Sequence, residues 1–323
     1  MAEARIPVDL FNPGQVFACL GFLEAANILL GDAEGGFDWS NEENAMFALR
    51  ASSDRNPFET LLEFLAEAEP KRWGPVGYAD PPSKERKGDA DEDDESENHG
   101  GEETTVAPVL ELAPTFPAKQ GDRMALPIRF GGGNRPVVEL GHWTDGSSRE
   151  SFKLYAGNRS ADRIARAMLS GVRKKASAKQ RANQKLGDLR TKGVAQLWET
   201  DRAALIKAPF DVLTPMGGSF NFDPRGAWTA IDAGYSPNQH KHAIEASPVV
   251  EFLAAWGLEH ARPLEIGVRQ VRYAAWGASL PPILARVALS SDLATIALKR
   301  FRFQLDLSGK NKVVTFAQEE PHT

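Results

Sequence analysis

Residues 80–105 read DPPSKERKGDADEDDESENHGGEETT and contain no large apolar side chain. Ordering a backbone residue costs roughly 1–2 kcal/mol, and this stretch has no apolar surface to offset that cost. Between Lys84 and Glu103 ten acids face three bases. The segment is expected to be a long disordered acidic loop that divides the chain into an N-terminal part, 1–79, and a body, 106–323. Because neither flank is self-evidently complete, the two are expected to form one composite domain around a shared core. The loop also sets the charge balance: with its net −7 removed, the chain's net −6 becomes +1. It can be read as a shield over a basic groove, or as a solubilising insertion at a tolerant site.

The flanks carry alternating helix and strand signals. Asn12-Pro13 is an N-cap followed by a residue with a preset helical φ, and it opens the apolar run to Leu30, with Gly31 as the stop. Asn56-Pro57 opens a second helix, with Phe58, Leu61, Leu62 and Leu65 on one face and an end at Pro70. Short strands are expected in FDW, AMFALRAS, VAPVLELAPTF, MALPIRFGG and RPVVELGHW, with Gly131–Gly133 turning between the last two. Helical segments should fill 160–192, interrupted or bent near Gly171 and Gly187. Ser247-Pro248 starts a helix ending at Gly257, a strand lies near Glu265–Tyr273, and a helix lies near Pro282–Ser290. A hairpin, FRFQLDL–SGKN–KVVTFAQ, closes the chain. This order implies an α+β fold of mixed helices and mostly antiparallel strands.

A single cysteine, Cys19, excludes an internal disulfide framework and fits a reducing compartment. Its setting, VFACLGFL, suits a buried, inert thiol. The N-terminus MAEARIPVD lacks the pattern of a secretory signal, and the run Val16–Leu30 is too short and too polar to span a bilayer. A cytoplasmic protein without a membrane segment is expected.

Arg149–Lys192 is the strongest functional signal. Thirteen Lys/Arg face three acids there, an excess of ten positive charges in an acidic chain. On a continuous helix Arg159, Arg163, Arg166, Arg173 and Arg181 fall within about 80° of one another, opposite Ile164, Met168 and Val172. Such a face suits a nucleic-acid backbone, although a solvated surface or a partner-subunit contact also fits. The candidate binding residues are Lys153, Arg159, Arg163, Arg166, Arg173, Lys174, Lys175, Lys179 and Arg181. Within FKLYAGNRSADRIARAM, the helix N-terminus offers free N–H groups to a phosphate, and Gly157 permits close approach. Tyr155 and Trp143 are candidates for stacking on a base, or for the core. Arg269, Arg272, Lys299, Arg300 and Arg302 form a second basic group, with Arg300 and Arg302 on one strand face.

Catalytic signals are sparse. FGGGN lacks dinucleotide-site spacing, and no GxSxG, HExxH or Walker A motif occurs. His240 and His242 with Asp223 and Asp232 form the only combination that suggests a metal-dependent phosphodiesterase. The ligand set is incomplete, however, and Asp223 before Pro224 equally suits a cap. No cofactor is expected.

Three segments, NPGQVFACLGFLEAANILLG, FKLYAGNRSADRI and GSFNFDPRGAWTAIDAGYSPN, resemble the small-sized large-subunit protein of type I-U (also called I-G) CRISPR–Cas systems. The likeness extends over most of the chain outside the acidic loop, and it implies a non-enzymatic subunit of an RNA-guided surveillance complex (Cascade). Its implied partners are CRISPR RNA, target double-stranded DNA, the other Cascade subunits and a helicase–nuclease. The implied role is to bind DNA beside the PAM and to support R-loop formation. In such complexes base pairing reads the sequence and the protein supplies cations and a short duplex reader. No PAM-reading residue is transferred by the resemblance.

Overall fold

The computed structural model describes residues 1–41, 44–76, 110–113, 126–141, 154, 160–174, 176–183, 185–216, 218–226, 244–290, 296–308 and 311–321. The acidic segment 80–105 lies outside them. In chain order the N-terminal elements are β1 (Ala2–Pro7), α1 (Pro13–Leu29), β2 (Glu34–Asp38), β3 (Met46–Ala51), α2 (Pro57–Ala66) and β4 (Lys71–Pro75). Then come β5 (Leu110–Ala113), β6 (Ile128–Gly132), β7 (Arg135–Leu140), α3 (Ala161–Ser170), β8 (Val172–Arg173), α4 (Ala178–Ala182) and β9 (Leu189–Thr191). The remainder is α5 (Val194–Thr200), α6 (Arg202–Lys207), β10 (Thr214–Pro215), β11 (Glu245–Ala246), α7 (Pro248–His260), β12 (Leu264–Gly267), β13 (Gln270–Trp276), α8 (Pro282–Leu289), β14 (Leu298–Ser308), β15 (Asn311–Val314) and β16 (Gln318–Glu319).

The fold is α+β. A three-stranded sheet ordered β1-β3-β2 and a C-terminal sheet ordered β12-β13-β14-β15, with β16 also on β14, are antiparallel. A third sheet, β5-β4-β6-β7, contains a parallel pair, β4 with β5. The parallel register Arg72↔Leu110 to Pro75↔Ala113 places the strands flanking the acidic segment side by side.

Helix α1 forms where the caps predict. Asn12 Oδ1 accepts from the Gln15 amide, Pro13 occupies the first turn, and Gly31 takes a left-handed φ of 80° just beyond the helix end. Its charged residue, Glu24, is buried and receives two bonds from Arg286 of α8, at 2.6 and 2.8 Å. Cys19 is buried, and burial pushes its thiol pKa up. Helix α7 crosses α1 with backbone against backbone. A Cβ on Gly21 would overlap the Leu253 carbonyl, and one on Gly257 would overlap the Phe17 carbonyl. Gly257 is therefore a packing contact inside α7 and not its stop, so the helix runs three residues past the expected end.

One core takes side chains from both sides of the acidic segment, from Ile6, Phe47 and Phe58 to Trp256, Tyr273 and Phe301. Two bonds fasten the first block to the C-terminal sheet. Tyr273 donates to the Leu10 carbonyl at 2.6 Å, and Trp276 Nε1 donates to the Gly35 carbonyl at 2.8 Å. Each fully buried aromatic adds about 1.5–3 kcal/mol of burial free energy, so these rings dominate the interior.

Three local expectations are corrected. AEARIP forms β1, a strand not anticipated because only Ile6 in it is buried. Glu265–Tyr273 is a hairpin, β12–β13, turning at Arg269 with φ 58°. The basic stretch 160–192 is interrupted at Gly171, as one expectation had it, but it is not helical throughout: α3 stops at Ser170 and is followed by β8, the five-residue α4 and β9.

Among the described residues, no helix is long and apolar enough to cross a membrane.

Candidate nucleic-acid interface

The basic segment is a folded clasp. In α3, Ile164, Ala165, Met168 and Leu169 are buried, and Val172 continues the apolar side in β8. Gly171 reverses the chain at φ 71°, where a Cβ would overlap Gln196 Oε1. β8 pairs with β9, and the Lys174 amide donates to the Asp188 carbonyl at 2.8 Å, which closes the loop carrying α4. The apolar half of the expected helical wheel is thus correct for Ile164 and Met168. The cationic half is not a single stripe, because the wheel assumes a helix that Gly171 interrupts. Arg173 sits on a strand and Arg181 on a separate short helix.

The candidate cations divide into three groups. Arg163 and Lys174 are exposed. Arg166 and Arg173 turn partly inward: Arg166 donates to the Pro70 carbonyl and Arg173 to the Gly187 carbonyl, each at 3.2 Å. Burial is the main cause pulling the Arg166 pKa down; nearby Asp162 opposes it, and the Arg72 and Arg163 charges add to the lowering. Arg166 thus ties α3 to the start of β4, and Arg173 braces the clasp. Lys153, Arg159 and Lys175 lie outside the described residues, as do the side chains of Lys179 and Arg181, so these five positions are not placed. Trp143, Tyr155 and Gly157 also lie outside them.

Two features escaped the sequence reading. Lys185 is exposed on the clasp, and it was already within the local charge excess. Arg72 on β4 approaches Arg166 closely enough to lower its pKa. The run KRW, with Arg129 stacked 5.6 Å from the Trp73 ring centroid, was the available signal for this neighbourhood.

The second basic group lies on the C-terminal sheet. Arg272, Arg300 and Arg302 line a surface hollow of about 340 Å³ with Gln318, Glu319, Glu320 and Pro321. Arg269 is at the β12–β13 turn, and Lys299 pairs with Glu319 at 3.4 Å.

Asp223 has a structural role. It is fully buried and accepts from Asn12 Nδ2 at 3.1 Å, from the Ser247 amide at 3.1 Å, and from the Arg225 guanidinium at 2.7–3.2 Å. Its carboxylate joins the N-termini of α1 and α7 to the 3-10 turn Pro224–Gly226. Beside it, buried Glu251 accepts from the Phe222 and Asp223 amides at 3.0 and 2.8 Å. Asp232, His240 and His242 lie outside the described residues. Among the described residues no group of three His, Cys, Asp or Glu is placed to hold a metal ion.

Compared with known protein families, curated proteins and solved structures, the chain matches none.

Proposed function

We propose that this protein binds nucleic acid without catalysing a reaction, as a subunit of a CRISPR RNA-guided surveillance complex. The carrying observation is the excess of ten positive charges over Arg149–Lys192, in a segment that α3 and β8 anchor to the core through Ile164, Met168, Leu169 and Val172. Arg163, Lys174 and Lys185 are its exposed cations among the described residues. Cations held on folded backbone face a polyanion without first being ordered, and the release of condensed counterions then drives association. The three-segment resemblance supplies the setting: guide RNA and target DNA as ligands, DNA contact beside the PAM, and a docking surface for a helicase–nuclease.

The test has two arms. Co-expression with a CRISPR array and the neighbouring genes should yield one large particle containing this chain and a processed guide RNA. In the second arm, Arg163→Glu/Lys174→Glu/Lys185→Glu should bind target DNA at least tenfold more weakly at low salt. Its log–log salt slope should fall by about 2–3, from roughly 0.9 per lost duplex phosphate contact. Arg166 and Arg173 are excluded from this variant because they also brace the fold. Normal binding by the triple variant across a salt titration would remove the clasp from the interface. Absence of guide RNA from the purified chain and its partners would overturn the complex itself.

A further inference from the structure

The outer face of the C-terminal sheet holds cations that the fold does not neutralise. β14 alternates strictly: Phe301, Phe303 and Leu305 point into the core, while Arg300, Arg302 and Gln304 point outward. Arg272 on β13 stands directly opposite Arg302 in the register, and Gln318 of β16 flanks Arg302 on its other side. Like charges placed directly across strands destabilise a sheet. Only part of this repulsion is answered internally. Glu320 grips Arg272 with bonds of 2.5 and 3.0 Å, and Glu319 takes Lys299. Neither Arg300 nor Arg302 has an ion-pair partner among the described residues. Of the three arginines on this face only Arg272 is paired, with Glu320, which leaves two without an ion-pair partner among the described residues beside the 340 Å³ hollow.

We propose that Arg272, Arg300 and Arg302 form a second site for the phosphate groups of a single nucleic-acid strand. The proposal rests on the nucleic-acid reading above and adds a separate surface to it. Arg300 and Arg302 are two residues apart, about 6.8 Å along the strand. That separation is comparable with the step between successive phosphates of an extended chain. Each guanidinium offers a planar fork of donors suited to a phosphate. The β14 backbone is fixed by its inward phenylalanines, so the two forks are held on a rigid support. Glu320 is the internal counter-ion: its carboxylate takes the Arg272 fork that an incoming phosphate would otherwise use.

The experiment uses the full chain and a labelled single-stranded oligonucleotide, followed by fluorescence anisotropy over a salt series. Arg300→Gln/Arg302→Gln should weaken binding about tenfold and lower the log–log salt slope by about 1.4, from roughly 0.7 per single-strand phosphate. Glu320→Gln should tighten binding several-fold. The thermal midpoint of the arginine variant should stay near that of the parent, since neither Arg300 nor Arg302 has an ion-pair partner among the described residues, while Glu320→Gln, which loses its ion pair with Arg272, is compared under conditions where it is fully folded. An unchanged slope in the arginine variant, with binding weakened by Arg163→Glu/Lys174→Glu/Lys185→Glu, overturns this site and leaves the clasp standing. Two variants shifting affinity in the same direction also overturn it. No binding by the parent chain overturns both readings together.

Discussion

Glu251 and Asp223 are both fully buried, side by side. Asp223 is held by the Arg225 fork, whereas among the described residues Glu251 has no cationic partner and its Oε2 has no hydrogen-bond partner. Burial pushes the Glu251 pKa up to about 8, and the Asp223 charge adds to the rise while backbone N–H donors oppose it. The glutamate in the unfolded chain ionises near 4.5. Between these two values the folded protein holds a proton that the unfolded chain releases. Stability therefore falls as pH rises from about 4.5 and levels off once pH passes about 8. The melting temperature should drop by several degrees between pH 5.5 and 8.5 beyond the drop seen in Glu251→Gln. That variant keeps the oxygen accepting from Phe222 and Asp223 but cannot ionise. Parallel melting curves of the two proteins across the range check this, and identical pH dependence would show that Glu251 does not titrate there.

At the scale of elements, the α1–α7 crossing decides whether the two blocks share a core. An alanine is normally favoured over glycine inside a helix by about 1 kcal/mol. At Gly21 and Gly257 the new methyl would meet backbone of the facing helix, which cannot rotate away. Overpacking of this kind costs about 1–3 kcal/mol, so the clash outweighs the propensity. Gly21→Ala and Gly257→Ala should each lower the urea midpoint, and an increase for either would show that the helices can separate at no cost. The same crossing explains which elements were readable in the sequence. α1 and α2 were legible because capping, proline placement and period are local signals. Gly257 was misread as a stop because a glycine that ends a helix and one that admits a neighbour look alike in sequence. β1 escaped because its partner β3, and not its own apolar pattern, makes it a strand. The outer arginines of β14 were legible from alternation alone, but the Glu320 grip on Arg272 joins positions whose proximity only the register supplies. On the clasp, the count of charges was correct and the stripe was not, because Gly171 redirects the chain.

For the whole molecule, the acidic segment governs long-range electrostatics. Replacing Lys84–Glu103 with an uncharged Gly/Ser linker removes seven net negative charges and brings the chain to about +1. That stretch has no large apolar side chain to offer a core, so the melting temperature should be nearly unchanged. Nucleic-acid affinity should rise at low ionic strength, and the gain should shrink as the Debye length falls toward 8 Å near physiological salt. Equal affinity of the two proteins at low salt would show that the segment stays far from the basic surfaces. The parallel pairing of β4 with β5 has a different consequence. The strands on either side of the acidic stretch are zipped together, and both flanking blocks feed one interior. A severed main chain between Lys84 and Glu103 would thus lose connectivity while keeping its architecture. The protein is built as two matched pieces that could be made apart and recombined.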